Sequence, residues 1–226
     1  MPIRRRAFLI LAALVLLALA SFWTALAVGS IPVTPSAIIS ALLGRDTPGA
    51  DIIRELRLPR ALAGFACGGL LALAGALMQV LLRNPLADPY VLGISGGAGV
   101  GAMFAILIGL PVFGIDGLAF AGALGAMFLV FGLAHGDGSW TQTRLLLTGV
   151  IVAAGCGALV ALMLAIAPED RLRGMLFWLM GDLAQAAGWW VPMLSLVAAL
   201  ALAMPFAREL NLLARGLMQA QALGVA

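Results

Sequence analysis

The chain has 226 residues, of which 63% are hydrophobic and 10% are charged, and its mean hydropathy is +1.12. A soluble domain has about 45–50% apolar and about 25% charged residues, so the composition predicts an integral membrane protein. The formal net charge is only +3 and the basic residues are scattered, which argues against a nucleic-acid partner.

All 13 basic residues are arginines. A phosphate-binding P-loop requires a lysine, so the chain cannot supply an ATP site of that type. Cys67 and Cys156 lie in apolar stretches without a C-x-x-C pattern, and His135 is the only histidine. We interpret both thiols as packing residues and predict no metal, no cofactor and no catalytic set.

Uncharged apolar stretches recur along the chain, and most have about the 20 residues that a membrane-crossing helix needs. The six stretches are 7–28, 61–82, 91–110, 117–134, 145–167 and 189–207. They predict an all-α, polytopic transmembrane helical bundle. Arg5 and Arg6 resemble a twin-arginine export signal, but the run that follows exceeds a signal core of about 7–15 residues, so we favour a retained first helix.

Charge predicts a cytoplasmic N-terminus, because three arginines at residues 4–6 directly precede the first span. Arg83, Arg144, Arg208 and Arg215 would then also lie inside. The remaining arginines would lie outside: Arg45, Arg54, Arg57, Arg60, Arg171 and Arg173. The outside cluster at 54–60 opposes the positive-inside rule, so either it has a function or it only pairs with Asp51, Glu55 or lipid headgroups.

Two segments have the pattern of amphipathic helices that do not cross the membrane. Residues 171–187 predict an interfacial helix, with Trp178, Trp189 and Trp190 at headgroup depth. Residues 209–225 predict an amphipathic piece on the cytoplasmic side. Small residues also recur at a spacing that lets helices approach closely, at Gly64/Gly68, Gly93/Gly97, Gly97/Gly101 and Ala121/Gly125.

Two motifs flank the second span. Arg57-Leu58-Pro59-Arg60 precedes it, and Arg83-Asn84-Pro85-Leu86-Ala87-Asp88-Pro89 follows it and leads into the glycine-rich stretch 93–99. Together they resemble the membrane subunit of the ATP-driven importers for iron-siderophores, haem and cobalamin, the FecCD-type permeases. Further matching parts are Gly75 with Gln79, 144–147 with Gly149, and 210–213 with Leu223 and Gly224.

The resemblance implies one permease domain over 1–226, carrying six spans of a roughly ten-span fold. The chain would then be a fragment, a truncated gene product or half of a split permease. Its implied partners are a second permease subunit, two ATP-hydrolysing subunits, a periplasmic solute-binding protein and the lipid bilayer of the inner membrane. The permease itself would not be an enzyme, and its substrate would be a ferric siderophore, haem or cobalamin.

The resemblance also implies roles for particular residues. The binding protein would dock on Arg54, Arg57 and Arg60. The cytoplasmic gate would contain Asn84, Pro85, Leu86, Gln142 and Thr143. The translocation path would contain Met78, Gln79, Tyr90, Met163 and Phe177. The ATPase would couple through Leu213, Arg215, Gly216, Ala220, Leu223 and Gly224.

Simpler interpretations stay open for several of these residues. Asn84 and Pro85 can merely cap the second helix, and the path residues can be ordinary packing. Leu217 stands where the family often has an acidic residue, which weakens a specific ion pair with the ATPase. The alternative function is an ion-coupled secondary transporter, which usually carries charged residues within its spans, whereas the predicted spans have none.

Overall fold

The structure is a computed structural model that describes residues 2–135, 141–183, 188–214, 216 and 221–223. All regular structure in these ranges is helical, which confirms the all-α prediction. The α-helices are α1 (Pro2–Ala27), α2 (Pro35–Leu42), α3 (Leu58–Leu81), α4 (Ile94–Leu107), α5 (Val112–Ala134), α6 (Gln142–Ile166), α7 (Glu169–Met180), α8 (Trp190–Ala203) and α9 (Ala207–Leu213). A π-helical turn, Ile52–Arg57, runs directly into α3, and 3₁₀ turns occupy Pro89–Leu92 and Met204–Phe206.

Five helical runs are long and apolar enough to cross a membrane: Arg5–Ala27, Ile52–Leu81, Val112–Ala134, Gln142–Ile166 and Trp190–Leu213. The predicted span 91–110 is instead the 14-residue helix α4. Left-handed glycines bound this helix, with Gly93 at φ 70° before it and Gly109 at φ 79° after it. The apolar stretch is therefore divided between a helix and two turns.

Two boundaries differ in ways that affect function. The run Trp190–Leu213 stays helical through residue 209, so the predicted amphipathic piece 209–225 does not start as a separate element. Helix α5 starts at Val112, five residues before the predicted uncharged span 117–134, and therefore also contains Asp116. Asp116 is exposed and lies near the helix N-terminus, where a carboxylate complements the macrodipole.

The chain divides into two compact units, Met1–Leu70 with Leu183–Ala201 and Leu71–Asp182 with Leu202–Ala226. The single-domain prediction stays a prediction. In the first unit, Thr34 caps α2 by accepting a hydrogen bond from the Ala37 amide at 3.4 Å. The core of this unit consists of side chains that are at most 3% exposed: Leu26, Ile38, Ala41, Ala50 and Ile53.

Two arginines of the first unit bind the carboxyl ends of its helices. The Arg57 guanidinium donates to the carbonyls of Leu26 at 2.8 Å and Ala27 at 3.1 Å, and also to that of Ile31. Arg54 donates to the Ala41 carbonyl at the end of α2, at 2.8 Å. The last carbonyls of a helix have no partner within it, and a cation there also complements the helix dipole. Arg57 and Arg54 thereby hold α1 and α2 against the start of α3.

In the second unit, α4 and α5 pack backbone to backbone. A Cβ added to Gly97 or to Gly122 would overlap the carbonyl oxygen of the other, and one on Gly101 would overlap the Leu118 carbonyl. The predicted close approach at Gly97/Gly101 is therefore confirmed. Its α5 partner is Gly122 rather than Ala121/Gly125, since the space beside Gly125 is open. Gly68 likewise has no neighbour at its Cβ position.

Helix α7 joins α4 through a buried methionine and an arginine. Met175 is fully buried with Met103 and Ala102 of α4. Arg171 donates to the carbonyls of Ile106, at 3.4 Å, and Leu107, at the end of α4. The predicted interfacial helix 171–187 therefore begins two residues earlier and ends at Met180, while 184–187 lie outside the described residues.

We expect Gly122→Ala to lower the unfolding temperature, because its methyl group would meet the Gly97 carbonyl and force α4 and α5 apart. Overpacking of this kind costs about 1–3 kcal/mol. Gly125→Ala is the matched control on the same helix, because its methyl group points into open space. Thermal unfolding in detergent measures both variants, and equal midpoints would contradict the packing described for this helix pair.

We expect Arg57→Gln to destabilise the protein by about 1–3 kcal/mol, because it leaves carbonyls at the end of α1 without a charged donor. Arg60→Gln removes the same charge one turn further along the helix but no hydrogen bond, so its midpoint should match the wild type. Denaturation followed by tryptophan fluorescence compares the two. A destabilised Arg60 variant beside an unaffected Arg57 variant would reverse the assigned roles.

Candidate functional site

The three predicted docking arginines differ in what they bind. Arg54 forms an ion pair with Asp46 at 2.9 Å and also donates to two backbone carbonyls, and Arg57 is bound to carbonyls of α1 and the loop after it. Arg60 is exposed and has no hydrogen bond or ion pair with any residue that the structure describes. Among the three, only Arg60 therefore has a guanidinium group that is not bound to another described residue.

The alternative that these arginines pair with Asp51 and Glu55 does not match the geometry. Both carboxylates are exposed and neither forms an ion pair with an arginine within the described ranges, whereas Asp46 pairs with Arg54. The reason is geometric: the guanidinium of Arg54 already reaches the end of α2, where Asp46 follows the helix within a few residues.

Arg57 and Arg60 lie at one end of a groove between α1 and α3 in the first unit. Its cavity volume is about 680 Å³. Small residues such as Ala25 and Gly64 and the rings of Phe22 and Phe65 form its walls. The first unit therefore presents a charged residue beside an apolar groove, close to the end of α1.

The first predicted gate segment follows the end of α3. Arg83 has φ 46°, and the Asn84 amide donates to the Gln79 carbonyl at 3.1 Å, which together form a Schellman ending. The Asn84 side-chain oxygen then accepts the Leu86 amide at 2.9 Å. The capping interpretation of Asn84 is thus confirmed, and it is compatible with a gate. Leu86 is 87% exposed.

The second predicted gate segment is the first turn of α6. Thr141 caps this helix by accepting the Arg144 amide at 3.3 Å, and Gln142 and Thr143 are exposed. Leu82 and Ala87, which flank the first segment, share one buried cluster with Leu145, which follows the second. The fold therefore brings both segments to the same end of the second unit.

The five predicted path residues do not line one wall. Met78 is 8% exposed and packs in the cluster with Leu82, while Met163 packs against a different cluster with Met103 and Met175. Gln79, Tyr90 and Phe177 are exposed. Their role stays a prediction.

Tyr90 lines a small cavity in the second unit. Leu71, Ile94 and Ser95 are among the other residues that line it, and its volume is about 220 Å³. Asp88 fixes the turn that carries the ring, because its carboxylate accepts the Tyr90 amide at 2.8 Å.

Three of the six predicted coupling residues are described. Leu213 is half-buried at the end of α9, Gly216 has φ 115°, and Leu223 is 62% exposed. A side chain at Gly216 would be strained, which suits a position predicted to need glycine. Arg215, Ala220 and Gly224 lie outside the described residues.

Sequence reasoning missed the structural use of Arg54, Arg57 and Arg171 at helix ends. Their backbone partners lie between 9 and 65 residues away along the chain, so no local pattern identifies them. It also missed the left-handed conformation of Arg83, which the neighbouring Pro85 signals only as a helix end. No group of three or more histidine, cysteine or acidic side chains that could hold a metal occurs among the described residues.

Comparisons with known proteins agree over most of the chain. The FecCD transport family matches residues 14–226. The cobalamin import system permease protein BtuC of Halobacterium salinarum is 39% identical over 182 residues, which are 77% of this chain and 48% of that protein. The ferric enterobactin transport system permease protein FepD of Escherichia coli is 38% identical over 223 residues, 93% of this chain and 65% of that protein.

A solved structure, described as an inward-facing conformation of a metal-chelate type ABC transporter, superimposes with a TM-score of 0.80 at 28% identity. The match covers 96% of this chain and 68% of that one. The chain spans about half to two thirds of the length of the curated relatives given above. With its helical spans and a family match over nearly its whole length, the chain is a multi-pass membrane protein that belongs to the FecCD transport family.

Proposed function

We propose that this chain is the membrane-spanning permease subunit of an ATP-binding-cassette importer, which moves substrate from a periplasmic binding protein into the cytoplasm. The observation that carries the proposal is the family match over residues 14–226. Ferric siderophore is the proposed substrate, with haem and cobalamin as alternatives. Relatives named for ferric enterobactin and for cobalamin support this range of bulky ligands.

The proposed assembly contains a second permease subunit and two ATP-hydrolysing subunits. This chain has no lysine and hence no P-loop of its own, so hydrolysis belongs to the partner and the chain is not itself an enzyme. The assembly would lie in the inner membrane with the N-terminus of this chain in the cytoplasm. Three arginines immediately before the first span support that orientation.

In this proposal, Arg60 supplies the charge that docks the binding protein. Arg54 and Arg57 hold the helix ends beside it, because their guanidinium groups are already bound to carbonyls and to Asp46. An unpaired arginine gives bidentate contacts to a carboxylate, and complementary charge governs orientation and association rate.

The cytoplasmic gate is proposed at 84–86 together with Gln142 and Thr143. The two segments lie at one end of the second unit: the first is a turn after α3 with a half-buried Asn84, and the second is the first turn of α6 with exposed Gln142 and Thr143. Irregular backbone at membrane depth is tolerated where it lines a cavity or is buried in protein. The ATPase is proposed to receive the segment that starts at Leu213, where the chain turns at Gly216.

We expect Arg60→Glu to slow association of the solute-binding protein about tenfold at low salt, with a smaller effect when salt is raised. Surface plasmon resonance on the chain in nanodiscs measures the rate constants. Arg173→Glu is the control, since it reverses an exposed arginine of the second unit. An unchanged association rate for Arg60→Glu would contradict docking through this residue. Uptake into vesicles with binding protein and ATPase present tests the importer function itself.

We expect Asn84→Cys and Gln142→Cys, each in a background with Cys67 and Cys156 replaced by serine, to react with an impermeant maleimide added from the cytoplasmic side. Both positions lie at the end of the second unit to which the gate is assigned. Ser36→Cys at the start of α2 is exposed and should react only from the opposite side. Labelling of the two gate positions from the periplasm would overturn the proposed location.

A further inference from the structure

Within the part of the chain that the structure describes, three helices end in the same hydrogen-bonded turn, and one of the three does so without glycine. At the ends of α2 and α4, Gly44 and Gly109 adopt the left-handed conformation with φ 79°. At the end of α3, the equivalent position is Arg83 with φ 46°. Any residue with a Cβ is strained there, whereas glycine is not. The backbone conformation therefore favours glycine at position 83, and a role for arginine there must come from its side chain.

A second arginine occupies a position where the helix dipole disfavours a positive charge. Arg144 lies in the first turn of α6, where the positive end of the helix dipole favours acidic residues over basic ones, and this turn contains no acidic residue. The Arg144 amide is capped by Thr141, but its guanidinium has no hydrogen bond or ion pair with any described residue. The same holds for the Arg83 side chain, and both are exposed.

Both arginines lie at the same end of the second unit. Each directly adjoins a residue of one buried cluster, Leu82 for Arg83 and Leu145 for Arg144. The loop after α3 packs on the first half of α6, where a Cβ on Gly149 would overlap the Val91 carbonyl.

This end also borders two candidate spans. The spans Ile52–Leu81 and Gln142–Ile166 meet the loops at the two arginines, and apolar side chains beside them face outward. The exposed fractions are 57% for Leu81 and 61% for Leu147. Exposed leucines next to unpaired arginines at the end of a span are typical of the boundary between hydrocarbon and headgroups.

We propose that Arg83 and Arg144 form a binding site for the phosphate group of an anionic phospholipid. A guanidinium fork binds phosphate oxygens bidentately, and basic residues beside a span are attracted to anionic lipid. The acidic residue nearest to Arg83 along the chain is Asp88, whose carboxylate accepts the Tyr90 amide at 2.8 Å and forms no ion pair with a described arginine. The bound lipid would tie the end of α3 to the start of α6, the two elements that carry the proposed gate.

The test compares the purified chain in nanodiscs of phosphatidylcholine with and without phosphatidylglycerol. Native mass spectrometry counts retained lipid, and thermal unfolding reports its stabilising effect. Arg83→Gln with Arg144→Gln should weaken phosphatidylglycerol binding about tenfold or more, and should remove the increase in unfolding temperature that this lipid gives the wild type. Arg45→Gln with Arg173→Gln removes the same net charge elsewhere and should keep both effects.

Two single variants separate the backbone from the side chain. Arg83→Gly should raise the unfolding temperature in phosphatidylcholine, because strain is relieved, and should still lose part of the stabilisation by phosphatidylglycerol. Arg83→Lys, which keeps the charge but not the guanidinium fork, should retain more of that stabilisation than Arg83→Gly but less than the wild type. These two single variants test whether the Arg83 side chain binds phosphatidylglycerol even if the double variant fails to fold.

Equal retention of phosphatidylglycerol by the wild type and the double variant would overturn the site, and so would an equal loss in the charge-matched control. If lipid binding is unchanged but an ATPase subunit no longer associates, the arginines bind carboxylates of that partner and the lipid assignment is wrong. Neither result depends on transport, so failure here is distinct from failure of the proposed importer function.

Discussion

The carbonyl groups at the carboxyl ends of helices impose the constraint on which this structure depends. In an apolar environment these groups have neither intrahelical partners nor water, and each unsatisfied group costs several kcal/mol. The protein satisfies many of them with arginine: Arg57 for α1, Arg54 for α2 and Arg171 for α4. Each guanidinium belongs to a later element, so each cap is also a tertiary contact. In a protein with few charges, these arginines thereby connect one helix to the end of another.

This use of arginine changes how the charge pattern relates to function. If the N-terminus is cytoplasmic, the arginines at 54–60 oppose the positive-inside rule, which invites a functional interpretation for all three, yet two of them are bound to helix ends. Arg60, at the groove beside α1, and the pair Arg83 and Arg144, in the second unit, are exposed and have no ion pair with a described residue. Arg45 and Arg173 are exposed in the same way, so exposure alone does not assign a function to an arginine.

Hydropathy and motif position predicted most of the helices, because a helix in a membrane needs a long uncharged run and a proline or glycine signals its end. They did not predict that 91–110 divides into turns and a short helix, since a left-handed glycine looks the same as a packing glycine in a sequence. Nor did they identify the partners of the arginines, because the Arg171 carbonyl partners lie 64 and 65 residues before it. The glycine spacing predicted a close helix pair, but Gly122 rather than Gly125 makes the contact. Spacing fixes a face of a helix only to within one residue.

The short helix α4 follows from the same constraint. Its 14 residues rise about 21 Å, less than the roughly 30 Å hydrocarbon thickness, so if α4 lies across the membrane at least one of its ends lies at membrane depth. Such an end is tolerated only when protein groups satisfy it. Arg171 does so at the end of α4, and the 3₁₀ turn Pro89–Leu92, fixed by Asp88, precedes its start. Irregular backbone is therefore concentrated beside Tyr90 and the small cavity it lines. The side chains of Arg171 and Asp88 thus fix the backbone on either side of α4, and the second unit accommodates a short helix where an uninterrupted apolar stretch was predicted.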